Sequence, residues 1–495
     1  MPDNLNCRMP KQSPEINLAG IKVSKKSATP LYMQVYEQLR KMIMEKRLRA
    51  GDRLPASRNF AKDLHVSRII ISQAYEQLLI EGYLVAKTGS GTFVADQLPD
   101  DLLNARRKDH SMQQRPTAEK KNIGIESSIV PFQLGTPSLD SFSYQKWFET
   151  GNTVLKQLKK FHLGYADTLG YWPLREAIAS YLRVSRAVMC EAEQVVVVTG
   201  SQQGLNLIGE FLLKNGDSVW MEDPGYPGAK TSFIHAGAKI CPIPVENDGA
   251  DIEYGIKKFP GAKLAYITPS HQFPLGCTLS HAKRIRLLEW ASKKNMWILE
   301  DDYDSEFRYE GSPLASLQGM DHAGCVVYSG TFSKVLFPGL RLAYLVLPTV
   351  EMANRLALMK ENIDRQSPMI EQLMLSKFIE EGHFLRHIRK MRLLYSERQK
   401  ILIDLINLYL GEYFSLNAFP SGMHVICWPN GKIDMQRFRE SVKRQKIFVG
   451  FIKDYSLQHK IPDGIALGFT AFSKYKMKLG VESLVLAVKD SLKSK

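Results

Sequence analysis

A lysine, an arginine, a carboxylate and a tyrosine lie at short spacings in the second half of this 495-residue chain. Ser329-Gly-Thr-Phe-Ser-Lys334 is followed, seven residues past the lysine, by the arginine of Pro338-Gly-Leu-Arg341. Glu300-Asp-Asp-Tyr-Asp304 carries Asp301 and Tyr303, and Thr199-Gly-Ser-Gln-Gln-Gly204 is a run of small and polar residues. A lysine amine such as that of Lys334 condenses with an aldehyde. A carboxylate keeps a ring nitrogen protonated, so that the ring draws electrons. A phenol bonds a ring oxygen, and an arginine together with the free N–H groups of a helix start holds a phosphate. Pyridoxal 5'-phosphate (PLP) has all four features, and the set suits it. Taken singly, a lysine or arginine is a solvated charge, and Asp302 or Asp304 could supply the acid in place of Asp301.

Those groups need a scaffold that brings them to one rim. From about residue 195 the chain shows short apolar runs without polar alternation, at 195–199, 218–222, 264–268, 296–300, 325–329 and 342–347. Helical stretches such as 202–214 and 281–295 separate several of them. Such strands are buried on both faces, as in an α/β unit with a mostly parallel sheet. Ligands of open α/β sheets bind at the carboxyl ends of the strands. That is where Thr199–Gly204, Glu300–Asp304 and Ser329–Lys334 fall.

The first fifth of the chain has a different pattern. Leu31, Val35, Leu39 and Ile43 repeat at helical spacing. Ser57 is placed to cap a short helix to Leu64, and Ser67 to cap a third helix that ends at Gly82. Within that helix, Ile69, Ile70 and Ile71 are expected in the core. Tyr83-Leu-Val-Ala and Thr92-Phe-Val-Ala flank a glycine-rich tip and read as a two-stranded wing. Three helices and a wing make a winged helix-turn-helix, whose third helix can present its N-terminal residues to base edges in the major groove. Residues 1–30 are expected to be loose apart from local contacts, and so is a polar linker, with a short helix at its start.

Composition agrees with globular units. The chain is 44% hydrophobic and 24% charged, and no apolar run has the length of a membrane span. The start is polar, so no secretory signal is expected. Six scattered cysteines form no CxxC pair, so neither a disulfide framework nor a metal site is expected. The net charge is +15. Residues 1–95 hold 15 Lys/Arg against 8 Asp/Glu, and residues 96–130 hold six of each. The basic excess is densest on the helical unit, as an anionic partner there requires.

Leu54-Pro-Ala-Ser-Arg58, Val66-Ser-Arg68, Ala74-Tyr-Glu-Gln-Leu-Leu, Glu81-Gly-Tyr-Leu and Gly89-Ser-Gly-Thr-Phe-Val94 closely resemble the DNA-binding domain of GntR-family regulators. The resemblance implies contacts from Arg58, from Ser67 and Arg68 at the start of the recognition helix, and from the wing glycines Gly89 and Gly91. Arg68 could fork onto guanine. This chain departs in placing isoleucines after Arg68, so base readout is either poorer or shared with Gln73. From about Phe132 onward the chain resembles fold-type I aminotransferases, through Tyr165, Gly170-Tyr-Trp-Pro-Leu-Arg, Glu222-Asp-Pro-Gly-Tyr226, Pro269-Ser-His-Gln-Phe-Pro-Leu-Gly276 and the motifs above. That resemblance implies that Lys334 is the catalytic, Schiff-base lysine, Asp301 the partner of the pyridine nitrogen and Tyr303 the donor to O3′. Tyr226 would stack on the ring. Gly200, Ser201, Gln202, Thr331, Ser333 and Arg341 would bind phosphate, and Tyr165 would reach the phosphate of a partner subunit.

Together the two halves resemble the MocR-type subfamily of GntR-family regulators. The implied domains are a winged helix-turn-helix at 28–96, a linker at 97–130 and a fold-type I aminotransferase-like, PLP-binding effector domain at 131–495. The resemblance implies a cytoplasmic bacterial regulator, nucleoid-associated when bound to double-stranded operator DNA. It implies a head-to-tail, domain-swapped homodimer with no membrane association. The effector would be PLP itself or an amine or amino acid that forms an adduct with it. PdxR-like control of vitamin B6 synthesis is the leading physiological expectation. Two departures bear on catalysis. The arginine that holds a substrate carboxylate in aminotransferases falls at Ala466, leaving Lys453 or Lys474 as other cations, and an expected asparagine is Phe273. A third position, near Gly228, lacks the arginine of GABA-responsive members. At most residual half-transamination is then expected, and the competing reading is an active aminotransferase with a fused DNA-binding domain.

Overall fold

In the computed structural model, which describes residues 18, 20–98, 130–311 and 314–492, the chain divides into two units, Met1–Ile125 and Glu126–Lys495. The expected linker and its short helix lie almost wholly outside the described residues.

The N-terminal unit holds helices α1 (Leu31–Met44), α2 (Ser57–Asp63) and α3 (Arg68–Ile80) and strands β1 (Leu84–Lys87) and β2 (Gly91–Val94). Val35, Leu39 and Ile43 of α1 pack with Ile71, Ala74 and Leu78 of α3 in one core. The strands pair antiparallel, from Leu84 with Val94 to Lys87 with Gly91. Gly82 follows α3 at φ 81°, a left-handed turn that glycine adopts without strain. Two local expectations change. Ala56, not Ser57, holds the cap position of α2, and Ser67 holds that of α3 without a side-chain capping bond. Residues just before α1 are also more ordered than expected. Ile21 is buried in the core, and the Gln38 and Gln34 side chains accept from the backbone N–H groups of Lys22 and Ser24.

The C-terminal unit is built on an eight-stranded sheet. Its strands are β3 (Val195–Val198), β4 (Ser218–Asp223), β5 (Lys239–Glu246), β6 (Gly249–Ala250), β7 (Leu264–Ile267), β8 (Trp297–Asp302), β9 (Val326–Thr331) and β10 (Ala343–Val346). Their order is β3-β10-β9-β8-β7-β4-β5-β6. Strands β9, β8, β7, β4 and β5 run parallel. β10 is antiparallel to both β3 and β9. This reversal has a consequence. β10 begins at the rim where its neighbours end, so Arg341, two residues before it, lies at the same edge as residues that follow β3, β8 and β9.

Apolar clusters fill both faces of the sheet. Val195, Val197, Tyr344 and Val346 belong to one, and Val196, Val198, Ala343 and Leu345 to the other. The period-2 alternation of strand side chains divides each run between them. A second sheet follows, antiparallel, of β11 (Phe414–Asn417), β12 (His424–Pro429), β13 (Gly450–Phe451) and β14 (Ile465–Gly468), ordered β11-β12-β14-β13. It packs with the long helix His383–Leu410 and the helix Lys474–Lys489 around Phe132, Tyr395, Phe438 and Phe469. No helix among the described residues is long and apolar enough to cross a membrane.

Candidate functional site

On the N-terminal unit, Arg58, Ser67, Arg68, Gln73, Gly89 and Gly91 are all exposed. Arg68 is the first residue of α3, and its Nε lies 3.3 Å from Ser57 Oγ on α2. The guanidinium therefore reaches from the start of α3 to the start of α2. Gly89 and Gly91 hold positive φ of 75° and 115° at the wing tip. A Cβ on Gly91 would lie 3.1 Å from Arg53 Nε, so glycine lets the wing close against that arginine. One expectation is corrected. Of the three isoleucines only Ile71 is in the core, while Ile70 is half-buried and Ile69 is 68% exposed. Steps of 100° around the helix turn Ile69 away from the buried face and beside Arg68.

In the C-terminal unit, the strand ends open onto a cavity of about 330 Å³. Lys334, Asp301, Tyr303, Tyr226, Arg341, Ser201, Gln202, Thr331 and Ser333 all line it. Asp301 comes from the last turn of the pleat of β8, Thr331 from the end of β9, and Ser201 from the first turn of the helix after β3. Lys334 Nζ donates to Gly135 O at 2.9 Å. Gly135 is at φ 61°, and a Cβ there would come within 2.8 Å of that amine. Burial holds the Lys334 ammonium below its usual pKa, against the pull of Asp304 and Asp301. A lowered amine pKa is what a nucleophilic lysine needs.

The three aspartates of Glu300–Asp304 face three different surroundings. Asp301 faces the cavity, where Tyr266 OH donates to its Oδ2 at 2.6 Å. Asp302 turns the other way and takes Arg186 Nε at 2.8 Å, Tyr328 OH at 2.5 Å and Ser305 Oγ at 2.8 Å. Asp304 lies beside His271, outside the cavity lining. Burial pushes the Asp301 carboxyl up to about 6, with Asp302 and Asp304 adding to it and Tyr266 opposing it. A cationic N–H against that carboxylate relieves the penalty. The residues thus fit a protonated pyridine nitrogen. They fit a phosphate as well. Gly200 is at φ 109°, and a Cβ on it would stand 3.0 Å from the Arg341 guanidinium. Only glycine leaves that guanidinium and the helix start at Ser201 facing a common space.

Not every expected residue points there. Gln202 lines the cavity, but its amide nitrogen donates to Gly228 O at 3.1 Å and Ser232 Oγ at 2.6 Å. Tyr165 is 82% exposed and away from the cavity, with the Arg365 guanidinium 4.5 Å from its ring centre. Tyr226 stands edge-on to Phe273, with ring centres 5.8 Å apart. Gly228 has no room for a side chain, since a Cβ would be 2.5 Å from Tyr226 Cζ. Ala466 is fully buried in an apolar cluster with Ile426 and Ile452, and Leu134 of the cavity wall packs on that cluster. Lys453 is paired with Asp463 at 2.7 Å, and neither it nor Lys474 lines the cavity. Among the described lining residues, Lys334 and Arg341 are the lysines and arginines present.

Several lining groups escaped the sequence reading. Tyr266 and Thr268 did carry a signal, as alternate polar residues at the end of an otherwise apolar strand. His424, from β12, carried none. Burial pushes its pKa down to about 3, so it enters the cavity neutral. Leu134 and Gly135 also come from far away in the chain, Gly135 lying 199 residues before Lys334.

Comparison with known proteins fits both halves. "Bacterial regulatory proteins, gntR family" matches residues 31–94, and "Aminotransferase class I and II" matches residues 131–459. The chain is a helix-turn-helix transcriptional regulator joined to an aminotransferase-type unit, and PLP is the cofactor of that unit. It belongs to the MocR-type subfamily of GntR-family regulators. It is 36% identical to the probable rhizopine catabolism regulatory protein MocR of Rhizobium meliloti, over 92% of this chain and 93% of that one. It is 30% identical to the pyridoxine biosynthesis transcriptional regulator PdxR of Corynebacterium glutamicum, over 80% and 83%. Among solved structures, the α-aminoadipate aminotransferase LysN of Thermus thermophilus, complexed with N-(5'-phosphopyridoxyl)-L-leucine, matches 72% of this chain and 91% of its own. The identity is 26% and the TM-score 0.66. The kynurenine aminotransferase of Pyrococcus horikoshii matches 79% of this chain at TM-score 0.69 and 24% identity, and shows the fold.

Proposed function

We propose that this regulator carries PLP as a sensing group and that its effector is PLP itself or an amine or amino acid that reacts at Lys334. The observation that carries this reading is one cavity that joins Lys334, Asp301, Tyr303 and Arg341 and whose described lining has no further lysine or arginine. PLP supplies an aldehyde that an amine can capture and a ring that withdraws electrons. Asp301 would hold the ring nitrogen, Tyr303 the ring oxygen, Tyr226 the ring face, and Arg341 with Ser201, Gly200, Thr331 and Ser333 the phosphate. Gln202 would act through the Gly228–Ser232 segment it ties down. An effector with an α-carboxylate lacks a bidentate arginine partner at the Ala466 position, and a buried carboxylate without one is costly. That favours PLP or an amine as the signal. The PdxR relative supports vitamin B6 synthesis as the controlled process. The MocR relative, named for rhizopine catabolism, supports control of a catabolic pathway.

The protein would work in the bacterial cytoplasm as a homodimer. Exposed Tyr165 is consistent with a residue that serves a partner's phosphate. Arg58, Ser67, Arg68, Gln73 and the wing glycines would contact operator DNA. The domains would be 28–96 for DNA, 97–130 as linker and 131–495 as effector unit. A second reading, a working aminotransferase with a fused DNA-binding domain, is supported by the complete Lys334, Asp301 and Tyr303 set.

One experiment separates the readings. The visible absorbance of the PLP-bound chain is followed while amines, amino acids and keto acids are added, with operator binding measured in parallel. A stable shift by one compound, with a change in operator affinity, is the expected result for an adduct sensor. A band unmoved by every compound, with operator binding that depends on PLP, identifies PLP as the signal. Repeated cycling of the band with a keto acid, without effect on operator binding, would establish the enzyme reading instead.

A further inference from the structure

His271 sits behind the cofactor cavity in a built recess. Its side chain is 4% exposed, and its Nδ1 lies 3.0 Å from Tyr303 OH and 3.0 Å from Asp304 Oδ2. The Asp304 side chain is 1% exposed. Two glycines make the space. Gly276 at φ 79° and Gly422 at φ 80° both face the imidazole; a Cβ on Gly276 would lie 3.2 Å from Nε2, and one on Gly422 would overlap the ring. A side chain at either position would collide with the ring as it is placed.

The chemistry of the three groups sets the proton positions. An ionised carboxylate only accepts hydrogen bonds. A bare Nδ1 lone pair 3.0 Å from Asp304 Oδ2 would face another lone pair, so Nδ1 carries the hydrogen. Asp304 Oδ2 has no aligned donor. The N–H therefore points at the tyrosine oxygen, and the carboxylate beside it holds the tautomer by its charge. Tyr303 OH accepts that bond, which leaves its own hydrogen to turn elsewhere, and Tyr303 lines the cofactor cavity. The other charged or titratable groups around the imidazole are few. Arg186 and Arg308 line a 10 Å³ cavity with His271 and Asp304, a volume near that of one water. His424 has its ring centre 5.4 Å away.

We propose that His271, oriented by Asp304, is a positioning residue that donates to Tyr303 and so directs the tyrosine's hydroxyl hydrogen into the cavity, toward the ring oxygen of the cofactor. The proposal rests on the reading of Tyr303 as the donor to that oxygen. A donor there stabilises the oxygen's negative charge and favours the state in which the lysine-derived nitrogen has lost its proton. Without His271, the Tyr303 hydroxyl loses the donor that fixes its rotation.

The test is a pH titration of the visible band of the PLP-loaded full chain. His271→Phe should raise the midpoint by about one unit, a tenfold change in that equilibrium. Tyr303→Phe should raise it comparably, and the double variant should go no further, because both act on one bond. Asp304→Asn leaves the ring in place and removes only the charge that fixes its tautomer; it should raise the midpoint too, and it carries the test if His271→Phe does not fold. A wild-type midpoint in both the His271 and Asp304 variants, with a raised one in Tyr303→Phe, would overturn the proposal and leave His271 a packing residue. Additive shifts in the double variant would overturn it as well. An unmoved midpoint in Tyr303→Phe would remove the placing of Tyr303 itself, and the role of His271 with it.

Discussion

Asp301→Asn should make the PLP-free protein more stable at neutral pH while weakening its hold on PLP. Burial displaces the Asp301 carboxyl from 3.8 to about 6. Each unit corresponds to about 1.4 kcal/mol, so the ionised form costs the folded state about 3 kcal/mol. The sign follows from proton counting. Between pH 4 and 6 the folded state binds more protons at this site than the unfolded state, so stability falls as pH rises through that window and is constant above it. The asparagine has no such dependence, and its Oδ1 can still accept from Tyr266 OH. Denaturant unfolding of the PLP-free full chain, followed through the transition of the C-terminal unit, should show the variant ahead by up to about 3 kcal/mol at pH 7.5. The gap should close below pH 4. With PLP present the order should reverse, since the ring nitrogen both relieves that penalty and adds a charge-assisted bond worth about 1.5–3 kcal/mol. A variant that is less stable at pH 7.5, or a gap that does not change with pH, would refute the argument that this carboxylate is kept buried for a cationic partner.

Three further outcomes follow from the geometry. Arg68→Ala should weaken specific operator binding by about 1–3 kcal/mol, read as Kd at fixed salt, because an exposed guanidinium at the start of α3 is suited to fork onto a base edge. Ile69→Ala should relax selection at one base pair by about 1–3 kcal/mol while leaving non-specific binding unchanged, since an exposed apolar side chain beside Arg68 is suited to a thymine methyl; competition between operators that differ at single positions measures it. Gly200→Val should reduce PLP affinity, because it strains a backbone at φ 109° by about 1–3 kcal/mol and places Cβ against the Arg341 guanidinium; fluorescence titration with PLP reads the loss.

The chemistry-bearing residues were legible because each follows an apolar run that reads as a buried strand. Lys334, Asp301 and Ser201 lie at or just past strand carboxyl ends, and the rule that ligands gather there groups them from sequence. The sequence left open which of Asp301, Asp302 and Asp304 faces the cofactor. Strand alternation answers it, since a two-residue period turns Asp302 toward Arg186 when Asp301 faces the cavity. The antiparallel run of β10 was not legible, because an isolated buried strand has no direction in its composition. His424 and Gly135 were missed for a related reason: they reach the cavity only through the packing of the small sheet and the 130s segment on the large one. Ile69 was misplaced because three consecutive isoleucines look like core, whereas one helix face cannot bury three successive residues.

The energies at the cavity bear on how PLP could act as a signal. A ligand shifts a two-state protein only by its difference in affinity for the two states, and moving the ratio from 1:99 to 99:1 takes about 5.5 kcal/mol. Relief of the Asp301 penalty, about 3 kcal/mol, arises only where the carboxylate is kept dry. A charge-assisted bond at the ring nitrogen adds about 1.5–3 kcal/mol. A state that opens the cavity to water loses both terms, because water would already solvate Asp301. Two interactions at one carboxylate therefore reach the size a complete switch requires. On this argument Asp301→Asn should flatten the dependence of operator affinity on PLP even at PLP concentrations that saturate the variant. A full PLP response from the saturated variant would place the switching energy elsewhere, at the phosphate or at Lys334.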